Sequence, residues 1–486
     1  MSEKKEEQSF LSSNLALPGN PRYQPKDLIE YFGYDNLFRE VAAVEMADLD
    51  VLAEIGVISN EEYLLLTPEV RKAILAIPTS EVDRVERDLT HHDVRAWIRL
   101  AQSLLPLVLR RWAHIPLTSY DPLDTGRTIQ FTKAHQDVVR PKVKRLMAIF
   151  IVLIRRYACV LQIGRTHGQH ALPITVGFWL ATILSRILYN VRQMDLAAEQ
   201  LCGKISGAVG CHNAQICLGL AKRCGEKSFE ERVLEKLGLK PAPISTQILP
   251  PEPLAYYLFS AVMLSAAFGQ FGRDGRNLMR SEIAEVAESF EEGQVGSSTM
   301  AQKRNPINFE NLEGTWIKTK NEFGKVLDTL ISDHQRDLVG SPVARDFPII
   351  IVNLTHQMST LLRENKNHVS FLSRVMINED RCRANFEMSQ EVILAEPLYI
   401  AMQMAGYQGD AHELVNRQAV PKSQVSGKFL IEVIEEMALE DPEIKSALEN
   451  IPDELIGLFH HPENYTGDAS EQALKIADLA EQYITD

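Results

Sequence analysis

Residues 173–191 read Pro-Ile-Thr-Val-Gly-Phe-Trp-Leu-Ala-Thr-Ile-Leu-Ser-Arg-Ile-Leu-Tyr-Asn-Val. Apolar side chains recur in this stretch every three or four residues, from Val176 to Val191. That spacing places them on one broad face of an α-helix. Proline suits the first helical position, because its φ is fixed and its missing N–H is not needed there. The stretch therefore predicts a long helix that begins at Pro173.

Three other stretches have the same helical spacing, and strand-like alternation is scarce. They run from about Pro253 to Glu288, from Pro306 past Leu330, and onward from Pro348. Helices of more than 25 residues exceed the globular average of about 11–12, and broad apolar faces need partner helices from this chain or from other subunits. Small side chains that would let a second helix approach closely occur at Gly269, Gly272 and Gly275. We predict an all-α fold with a central long-helix bundle.

The segments on either side of these long helices are shorter and richer in turn residues. Loose domain boundaries therefore fall near Pro116 and Met376. We expect an N-terminal helical domain over 1–116, a central bundle domain over 117–376 and a C-terminal helical domain over 377–486.

The composition is that of a soluble globular protein with an acidic balance. The chain has 486 residues, of which 45% are hydrophobic, and its formal net charge is −14. Broad binding to nucleic acid or to anionic membranes needs basic faces, so we expect neither partner. The longest apolar run, Leu146–Ile154, is much shorter than the about 20 residues that span a bilayer. A small anionic ligand needs only a few local cations.

The six cysteines are scattered, and no two of them form a Cys-x-x-Cys pair. We expect free thiols in a reducing cytoplasm. Cys211 and Cys217 lie near His212, but their spacing fits no zinc signature, so we expect no metal. The first residues contain no apolar segment of the kind found in a signal peptide.

A polar stretch interrupts the helical pattern at 296–310, where the chain reads Gly-Ser-Ser-Thr-Met-Ala-Gln-Lys-Arg-Asn-Pro-Ile-Asn-Phe-Glu. Asn305 suits a helix N-cap and Pro306 the first helical position, so a helix start explains those two residues. The spacing of five from Ser298 to Lys303 does not fit a Ser-x-x-Lys hydrolase, and no P-loop pattern is present. Two interpretations remain: a solvated loop, or a loop that carries a serine base, with Lys303 and the helix start binding an anion.

Four further clusters combine histidine, hydroxyl and arginine side chains. Each cluster also has a purely structural interpretation. A lone histidine is usually structural, and the arginines could belong to a solvated turn. Thr90 or Asp93 could cap one helix, and Ser119 or Asp121 could cap another. A chemical interpretation treats His167, just before the predicted helix, as a group that titrates near neutral pH. The Arg336, Ser341 and Arg345 set could clamp a phosphate. The clusters occupy 90–95, 116–125, 164–173 and 336–345.

Taken together, these motifs resemble the fumarase/aspartase superfamily. Its shared signature is Gly-Ser-Ser-x-Met-Pro-x-Lys-x-Asn-Pro. The chain matches this signature at seven positions and differs from it at Ala301, where the family has proline. The matching residues are Gly296, Ser297, Ser298, Met300, Lys303, Asn305 and Pro306.

Within that superfamily the chain is most similar to the adenylosuccinate lyase family. The resemblance covers residues 22–345, and nothing in the last hundred residues matches by motif. The similar elements are Asn20–Tyr23, Thr90–Val94, Thr118–Thr125, Gly164–Pro173, Ser206–Gly210, Ser245–Gln247 and Arg336–Arg345.

The resemblance implies a three-domain helical fold and β-elimination of fumarate from adenylosuccinate, which leaves AMP. It also implies cleavage of succinylaminoimidazole carboxamide ribotide (SAICAR to AICAR). No cofactor is implied, and the enzyme would be a homotetramer whose active sites are shared between subunits. In the implied roles, Ser298 is the base, Lys303 and Asn305 stabilise the intermediate, His167 is the acid, Glu310 orients a histidine, and His92 contacts phosphate or assists His167.

The implied substrate contacts divide between the two ends of the substrate. The nucleotide part would bind Arg22, Tyr23, Arg336, Ser341 and Arg345. The succinyl part would bind Thr118, Ser119, Thr166 and Gln247, and the substrate-binding set also includes Asp93, Ser297 and Met300.

Three alternatives stay open. The first is another superfamily lyase, such as argininosuccinate lyase or fumarase, whose substrate lacks the phosphate that Arg336, Ser341 and Arg345 would bind. The second is a catalytically inactive structural homologue, which the change at Ala301 permits. The third is a helical scaffold, which would not need the polar loop.

Overall fold

The computed structural model describes residues 17–289 and 303–485. The structure is 66% helical with few strands, so the predicted all-α fold is confirmed. Four of the longer helices correspond to the predicted stretches, and they span Val176–Glu199, Glu252–Leu278, Ile307–Asp328 and Pro348–Leu362.

The longest helices lie in the middle of the chain, among several short ones. Up to residue 199 they are α1 (Ile29–Phe32), α2 (Arg39–Glu54), α3 (Asn60–Tyr63), α4 (Pro68–Leu75), α5 (Thr79–Val85), α6 (Asp93–Leu104), α7 (Tyr120–Ala134), α8 (Arg140–Tyr157) and α9 (Val176–Glu199). From there to residue 362 they are α10 (Asn213–Cys217), α11 (Phe229–Lys236), α12 (Glu252–Leu278), α13 (Ile307–Asp328), α14 (Gly340–Ala344) and α15 (Pro348–Leu362). The remaining helices are α16 (Glu379–Glu387), α17 (Ala395–Met404), α18 (Ala411–Glu413), α19 (Val420–Ser426), α20 (Leu430–Ala438), α21 (Pro442–Asn450), α22 (Asp453–His460) and α23 (Ala469–Thr485).

The strands of the described residues form three two-stranded sheets. β1 (Leu161–Thr166) pairs antiparallel with β2 (Gln169–Thr175), β3 (Cys202–Gly203) pairs parallel with β4 (Lys240–Pro241), and β5 (Val286–Ala287) pairs antiparallel with β6 (Met376–Ile377).

Helix α9 does not begin at Pro173, as the sequence predicted. Pro173 lies in strand β2 opposite Ile163, where proline is tolerated because a two-stranded ribbon leaves one edge of each strand unpaired. The helix begins at Val176, and the hydroxyl of Thr175 caps it by accepting a hydrogen bond from the amide of Phe178 at 3.1 Å. The start of helix α9 is therefore set by the hydroxyl cap of Thr175 and not by Pro173.

Helix α12 ends earlier than predicted. It stops at Leu278 rather than near Glu288, and Val286–Ala287 forms strand β5. The β-branched Val286 is buried against strand β6, so a local strand contact takes the place of the last helical turns.

The chain forms two compact units. The first contains Met1–Lys144, Tyr189–Gly269 and Asn311–Thr360, and the second contains Arg145–Leu188, Gln270–Glu310 and Leu361–Asp486. The three-domain division at residues 116 and 376 stays a prediction.

The core of the first unit contains helices α2 and α7. Gly126 of α7 allows this contact, because a Cβ there would lie 3.1 Å from the backbone nitrogen of Val41. Buried aromatic rings continue the core, with the ring of Phe131 5.1 Å from Phe32 and 6.1 Å from Tyr257 between centroids.

The core of the second unit is built around Phe271. Its ring contacts Phe150, Trp179 and Phe309 at centroid distances of 5.3, 6.0 and 5.6 Å. Gly275 makes room for the ring of Phe309, because a Cβ on Gly275 would lie 2.5 Å from it. The predicted role of small residues in α12 is confirmed here.

Gly269 has the same role in the first unit. A Cβ on this residue would lie 2.8 Å from the Cβ of Trp316 in helix α13. Close approach of two helices is therefore built into α12 at two glycines.

Helix α12 is also long and apolar enough to cross a membrane, with a mean hydropathy of 1.4 over its most apolar 18 residues. Of that window, 56% is buried inside the structure. Core helices of soluble proteins pass the same test, so this helix is weak evidence for a membrane span. The expectation of no membrane partner stays a prediction.

Two acidic side chains of the first unit are fully buried in different environments. Asp121 binds the ammonium of Lys204, which is itself wholly buried. Both oxygens of Asp48 lack a hydrogen-bond partner among the described residues. Burial, followed by the negative charges of Glu45 and Asp121, raises the pKa of Asp48 well above its ordinary value.

We expect Gly275→Ala to lower the free energy of unfolding by about 1–3 kcal/mol, because the added methyl group would overlap the Phe309 ring. Gly324→Ala in helix α13 is the matched control. No atom lies within 4 Å of a Cβ at that position, so it should stabilise by roughly 0.4–1 kcal/mol. Urea unfolding of both variants measures the difference, and stabilisation by both would contradict the packing at Gly275.

We expect Asp48→Asn to stabilise the protein more at pH 8 than at pH 5. Because the folded-state pKa of Asp48 is raised, the stability it contributes is present below its unfolded-state pKa and is lost as pH rises toward the folded-state value. The loss is about 1.4 kcal/mol for each pH unit in that window. Thermal unfolding at both pH values measures it, with the exposed Asp328→Asn as control. An equal effect of Asp48→Asn at both pH values would contradict the assignment.

Candidate active site

His167 lies at the tip of the hairpin formed by β1 and β2. His167 and Gly168 form its two-residue turn, with φ values of 55° and 77°. Two consecutive positive φ values are typical of the type I′ turn that matches the twist of a hairpin, and glycine adopts the second without strain. The turn leaves His167 and the neighbouring Thr166 exposed to solvent.

This position corrects the expectation that His167 sits just before a helix. Strand β2 separates it from the start of α9 at Val176, so the helix dipole does not act on its charge. The second histidine of the motif, His170, donates or accepts a hydrogen bond with the hydroxyl of Ser389 at 2.7 Å. Burial, followed by the charge of Arg165, lowers the pKa of His170.

The hairpin is stabilised by hydrogen bonds to the buried carboxylate of Glu285. That carboxylate accepts hydrogen bonds from Gln162 at 2.8 Å and from the guanidinium of Arg165 at 2.6 Å. The amide of Asn385 in helix α16 donates a third at 2.8 Å. Sequence reasoning missed Glu285, because a glutamate at the end of a predicted helix gives no sign that it is buried.

The start of helix α13 is capped by a second buried carboxylate, Glu288. It accepts hydrogen bonds from the backbone amides of Asn308 at 2.8 Å and Phe309 at 2.9 Å. The side-chain amide of Asn308 donates another at 2.6 Å, and Arg363 donates to the oxygen of that amide at 2.6 Å. Burial raises the pKa of Glu288, and these hydrogen bonds oppose the shift.

The cap corrects two predictions about this helix. The helix begins at Ile307, two residues after the predicted cap Asn305. The amides that were expected to bind a substrate anion already bind Glu288. Any anion near this point would therefore be bound by side chains such as Lys303, which is exposed and has no ion pair in the part of the chain that the structure describes.

The structure describes some of the other residues predicted in this region and not others. Ser297, Ser298, Met300 and Ala301 lie outside the described residues. Glu310 is exposed on the first turn of α13, and no hydrogen bond or ion pair joins it to His167 among the described residues. Its role as an orienting group stays a prediction.

The first unit brings three of the predicted substrate residues into direct contact. Arg336 donates to the side-chain oxygen of Gln247 at 2.9 Å and to the hydroxyl of Ser341 at 3.3 Å. Its guanidinium carbon lies 3.3 Å from the centroid of the Tyr120 ring. No salt bridge joins Arg336 to a carboxylate among residues 17–289 and 303–485. Its hydrogen bonds in the described residues go to neutral groups, and its charge also interacts electrostatically with the carboxylate of Asp124.

These residues line two cavities of the first unit. The larger, about 530 Å³, is lined by Asp93, Ser341 and Arg345 among others. The smaller, about 120 Å³, is lined by Arg336 and Asp124, and Tyr120 and Ser341 border both. Burial raises the pKa of Asp124. Carboxylates line both cavities as well, so an anionic ligand would bind at the arginines and the hydroxyl of Ser341 rather than to the cavity walls in general.

The Thr118–Thr125 motif is anchored by the buried ion pair of Asp121 and Lys204. Asp121 accepts hydrogen bonds from the backbone amides of Thr118 at 2.8 Å and Gly207 at 3.2 Å. Ser119 occupies the cap position of α7 without a side-chain capping bond. The ion pair therefore fixes Thr118 and Ser119 next to the loop at Gly207. A lysine among small and apolar residues was the sequence signal for this pair, and it was missed.

His92 is the N-cap of helix α6, a position that the sequence assigned to Thr90 or Asp93. Its Nδ1 accepts a hydrogen bond from the amide of Arg95 at 3.4 Å and lies 3.2 Å from the carboxylate of Asp93. About half of the His92 side chain is exposed.

Arg22 and Tyr23 lie in a 3-10 turn, Pro21–Tyr23, which the side chain of Asn20 caps. Both residues are exposed. The Tyr23 ring lies 5.9 Å from the ring of His356, and it borders a cavity of about 240 Å³ that is also lined by Lys318.

The structure shows no metal-binding cluster of three or more histidine, cysteine or acidic residues in the described part of the chain. The cysteines are not joined by disulfides there. His212, which lies between two cysteines in the sequence, binds Glu230 at 2.9 Å.

Comparison with known proteins gives matches over most of the chain. A lyase family model matches residues 81–318. The chain is 31% identical to the adenylosuccinate lyase of Archaeoglobus fulgidus over 94% of this chain and 97% of that protein. It is 32% identical to the adenylosuccinate lyase of Pyrococcus horikoshii over 96% of this chain and 98% of that protein.

A solved structure shows the same fold. The 3-carboxy-cis,cis-muconate lactonizing enzyme of Pseudomonas putida superposes with a TM-score of 0.77 at 20% identity, covering 96% of this chain and 98% of that chain. Enzymes of this superfamily act on small molecules and are generally oligomeric. Because the sequence matches extend over nearly the whole length of both archaeal relatives, the chain belongs to the adenylosuccinate lyase family of the fumarase/aspartase superfamily.

Proposed function

We propose that this chain is a carbon–nitrogen lyase that releases fumarate from adenylosuccinate and leaves AMP. We also propose that it cleaves SAICAR to AICAR and fumarate. Both substrates join a succinyl group to a phosphorylated nucleotide or ribotide, so one site would serve both.

The observation that carries this proposal is the charge of Arg336. It is oriented by the neutral groups of Gln247, Ser341 and Tyr120 and makes no salt bridge in the described residues, although the carboxylate of Asp124 is near enough to interact with it electrostatically. An arginine that is not bound directly by a carboxylate keeps N–H donors free for a ligand phosphate. Arg345 on the adjoining cavity adds a second cation. Argininosuccinate and malate carry no phosphate, so they would leave this charge unused.

The chemical step needs a base and an acid and no redox partner. Ser298 would remove the proton from the carbon next to a carboxylate of the succinyl group, and Lys303 and Asn305 would stabilise the resulting negative charge. The carbon–nitrogen bond then breaks, and His167 would donate a proton to the leaving nitrogen. Fumarate and the amino nucleotide are the only products, so the atoms balance without water.

We propose a homotetramer in which each active site takes residues from more than one subunit. The exposure of His167, Lys303 and Glu310 in the single chain supports this arrangement, because catalytic groups function best when they are shielded from water. Large apolar side chains on the long helices are also exposed, and a second copy would cover them. They include Tyr189, Leu196, Tyr256, Phe259 and Ile317. We propose a cytoplasmic location for the same enzyme.

We expect the purified protein to convert adenylosuccinate to AMP and fumarate, as followed by ultraviolet absorbance. Ser298→Ala should lower kcat by about 10²–10⁴-fold, the usual contribution of a general base. Argininosuccinate and malate, tested with the same preparation, should remain unchanged. A well-folded oligomer that leaves adenylosuccinate intact would overturn the proposed substrate.

We expect inactive Ser298→Ala and His167→Ala variants to regain activity when their subunits are mixed. If each site takes the serine and the histidine from different subunits, random assortment restores about one quarter of the sites. The matched control mixes Ser298→Ala with Lys303→Ala. Those residues lie on one segment of one subunit, so this mixture should stay inactive. Absence of recovery in the first mixture, with subunit exchange shown by mass spectrometry, would contradict shared sites.

A further inference from the structure

Tyr120 makes two contacts with the residues proposed to bind the phosphate. Its ring lies flat enough against Arg336 to bring the guanidinium carbon within 3.3 Å of the ring centroid. Its hydroxyl lies 2.8 Å from the hydroxyl of Ser341. One side chain therefore touches both the cation and the hydroxyl of this group.

We propose that Tyr120 is a positioning residue that orients Arg336 and Ser341 for the phosphate of the substrate. This inference rests on the proposed function and deepens it. Tyr120 lies within the Thr118–Thr125 element, but the resemblance implied no role for it. It borders both cavities on which these side chains converge.

The chemistry of the contact explains why a tyrosine is suited to this position. An arginine side chain has several freely rotating bonds, and ordering it opposes binding. The face of an aromatic ring attracts the guanidinium and restricts it, yet adds no negative charge that would compete with a ligand. A carboxylate at the same place would neutralise Arg336. The tyrosine orients the cation and leaves its charge available.

Tyr120 is itself held rigidly. It is the first residue of helix α7, and the next residue, Asp121, is buried in the ion pair with Lys204. Asp121 also fixes the backbone ahead of the helix through the amide of Thr118. A ring supported in this way can hold Arg336 in one orientation before the ligand arrives.

The test compares two substitutions that remove the contacts in turn. Tyr120→Phe keeps the ring and loses the hydroxyl bond to Ser341, so we expect KM for adenylosuccinate to rise about 3–10-fold. Tyr120→Leu loses the ring as well, and KM should rise about 10–100-fold. In both variants kcat should stay within about twofold, because the phosphate contact forms equally in the bound substrate and in the transition state. Circular dichroism confirms that each variant is folded.

A binding measurement separates this inference from the proposed reaction. Inorganic phosphate should raise the melting temperature of the wild-type protein, with a smaller increase for Tyr120→Phe and the smallest for Tyr120→Leu. Tyr407→Phe, which alters a partly buried tyrosine packed against the core of the C-terminal residues, should respond like wild type. The double variant Tyr120→Phe, Ser341→Ala should show less than the sum of the two single effects, because the two side chains share one hydrogen bond.

Each outcome decides one claim. If the wild type converts adenylosuccinate and the Tyr120 variants keep both its KM and its phosphate response, the role of Tyr120 is overturned and the reaction stands. If the wild type does not convert adenylosuccinate, the proposed reaction fails. A weaker phosphate response in the Tyr120 variants would still support the anion site in that case, and an equal response would overturn it.

Discussion

The ion pair between Arg165 and Glu285 is the interaction on which the second compact unit depends. Glu285 is completely buried, and a buried carboxylate is stable only when its oxygens are paired. Arg165, Gln162 and Asn385 provide that pairing from the hairpin and from helix α16. The tip of the hairpin, which carries His167, is thereby attached to a rigid base.

Three residues later, Glu288 performs a related task for the start of α13. It binds the first free amides of that helix and the side chain of Asn308, while Arg374 donates to the adjacent Ser289 at 3.0 Å. The chain on both sides of residues 290–302 is therefore fixed by hydrogen bonds. The groups that fix the described residues next to this segment are not part of the signature.

Charged side chains in this protein fall into two classes. Arg165 and Lys204 are paired with buried carboxylates, and their role is structural. Arg336 donates hydrogen bonds to neutral groups, and Arg336, Arg345 and Lys303 have no ion pair in the described ranges. Cations of the second class are not neutralised by a directly bound carboxylate. This contrast supports the proposal that they bind an anion.

The sequence predicted the elements that depend on periodic or local signals. The apolar spacing gave the long helices, and the glycines of α12 pack as expected beneath Trp316 and Phe309. The resemblance supplied Gln247, Arg336 and Ser341 as candidate residues, and the structure joins their side chains by hydrogen bonds. It implied the succinyl end for Gln247 and the nucleotide end for Arg336, and those assignments stay predictions.

The residues that the sequence did not reveal depend on distant contacts. Glu285, Glu288 and Lys204 are ordinary charged residues until the fold buries them beside their partners, and nothing local marks that burial. Three helix limits were wrong for a related reason: the start of α9 is set by Thr175, the end of α12 gives way to the pairing of β5 with β6, and the start of α13 is capped by Glu288. Tertiary contacts override local preference at such positions.

The most direct test of the account is a crystal structure of the Ser298→Ala variant with adenylosuccinate bound. We predict that the phosphate lies within hydrogen-bond distance of Arg336 and Ser341, with the Arg336 guanidinium still on the Tyr120 ring and residues from more than one subunit around each ligand. A phosphate bound away from Arg336, or a site complete within one chain, would contradict the account.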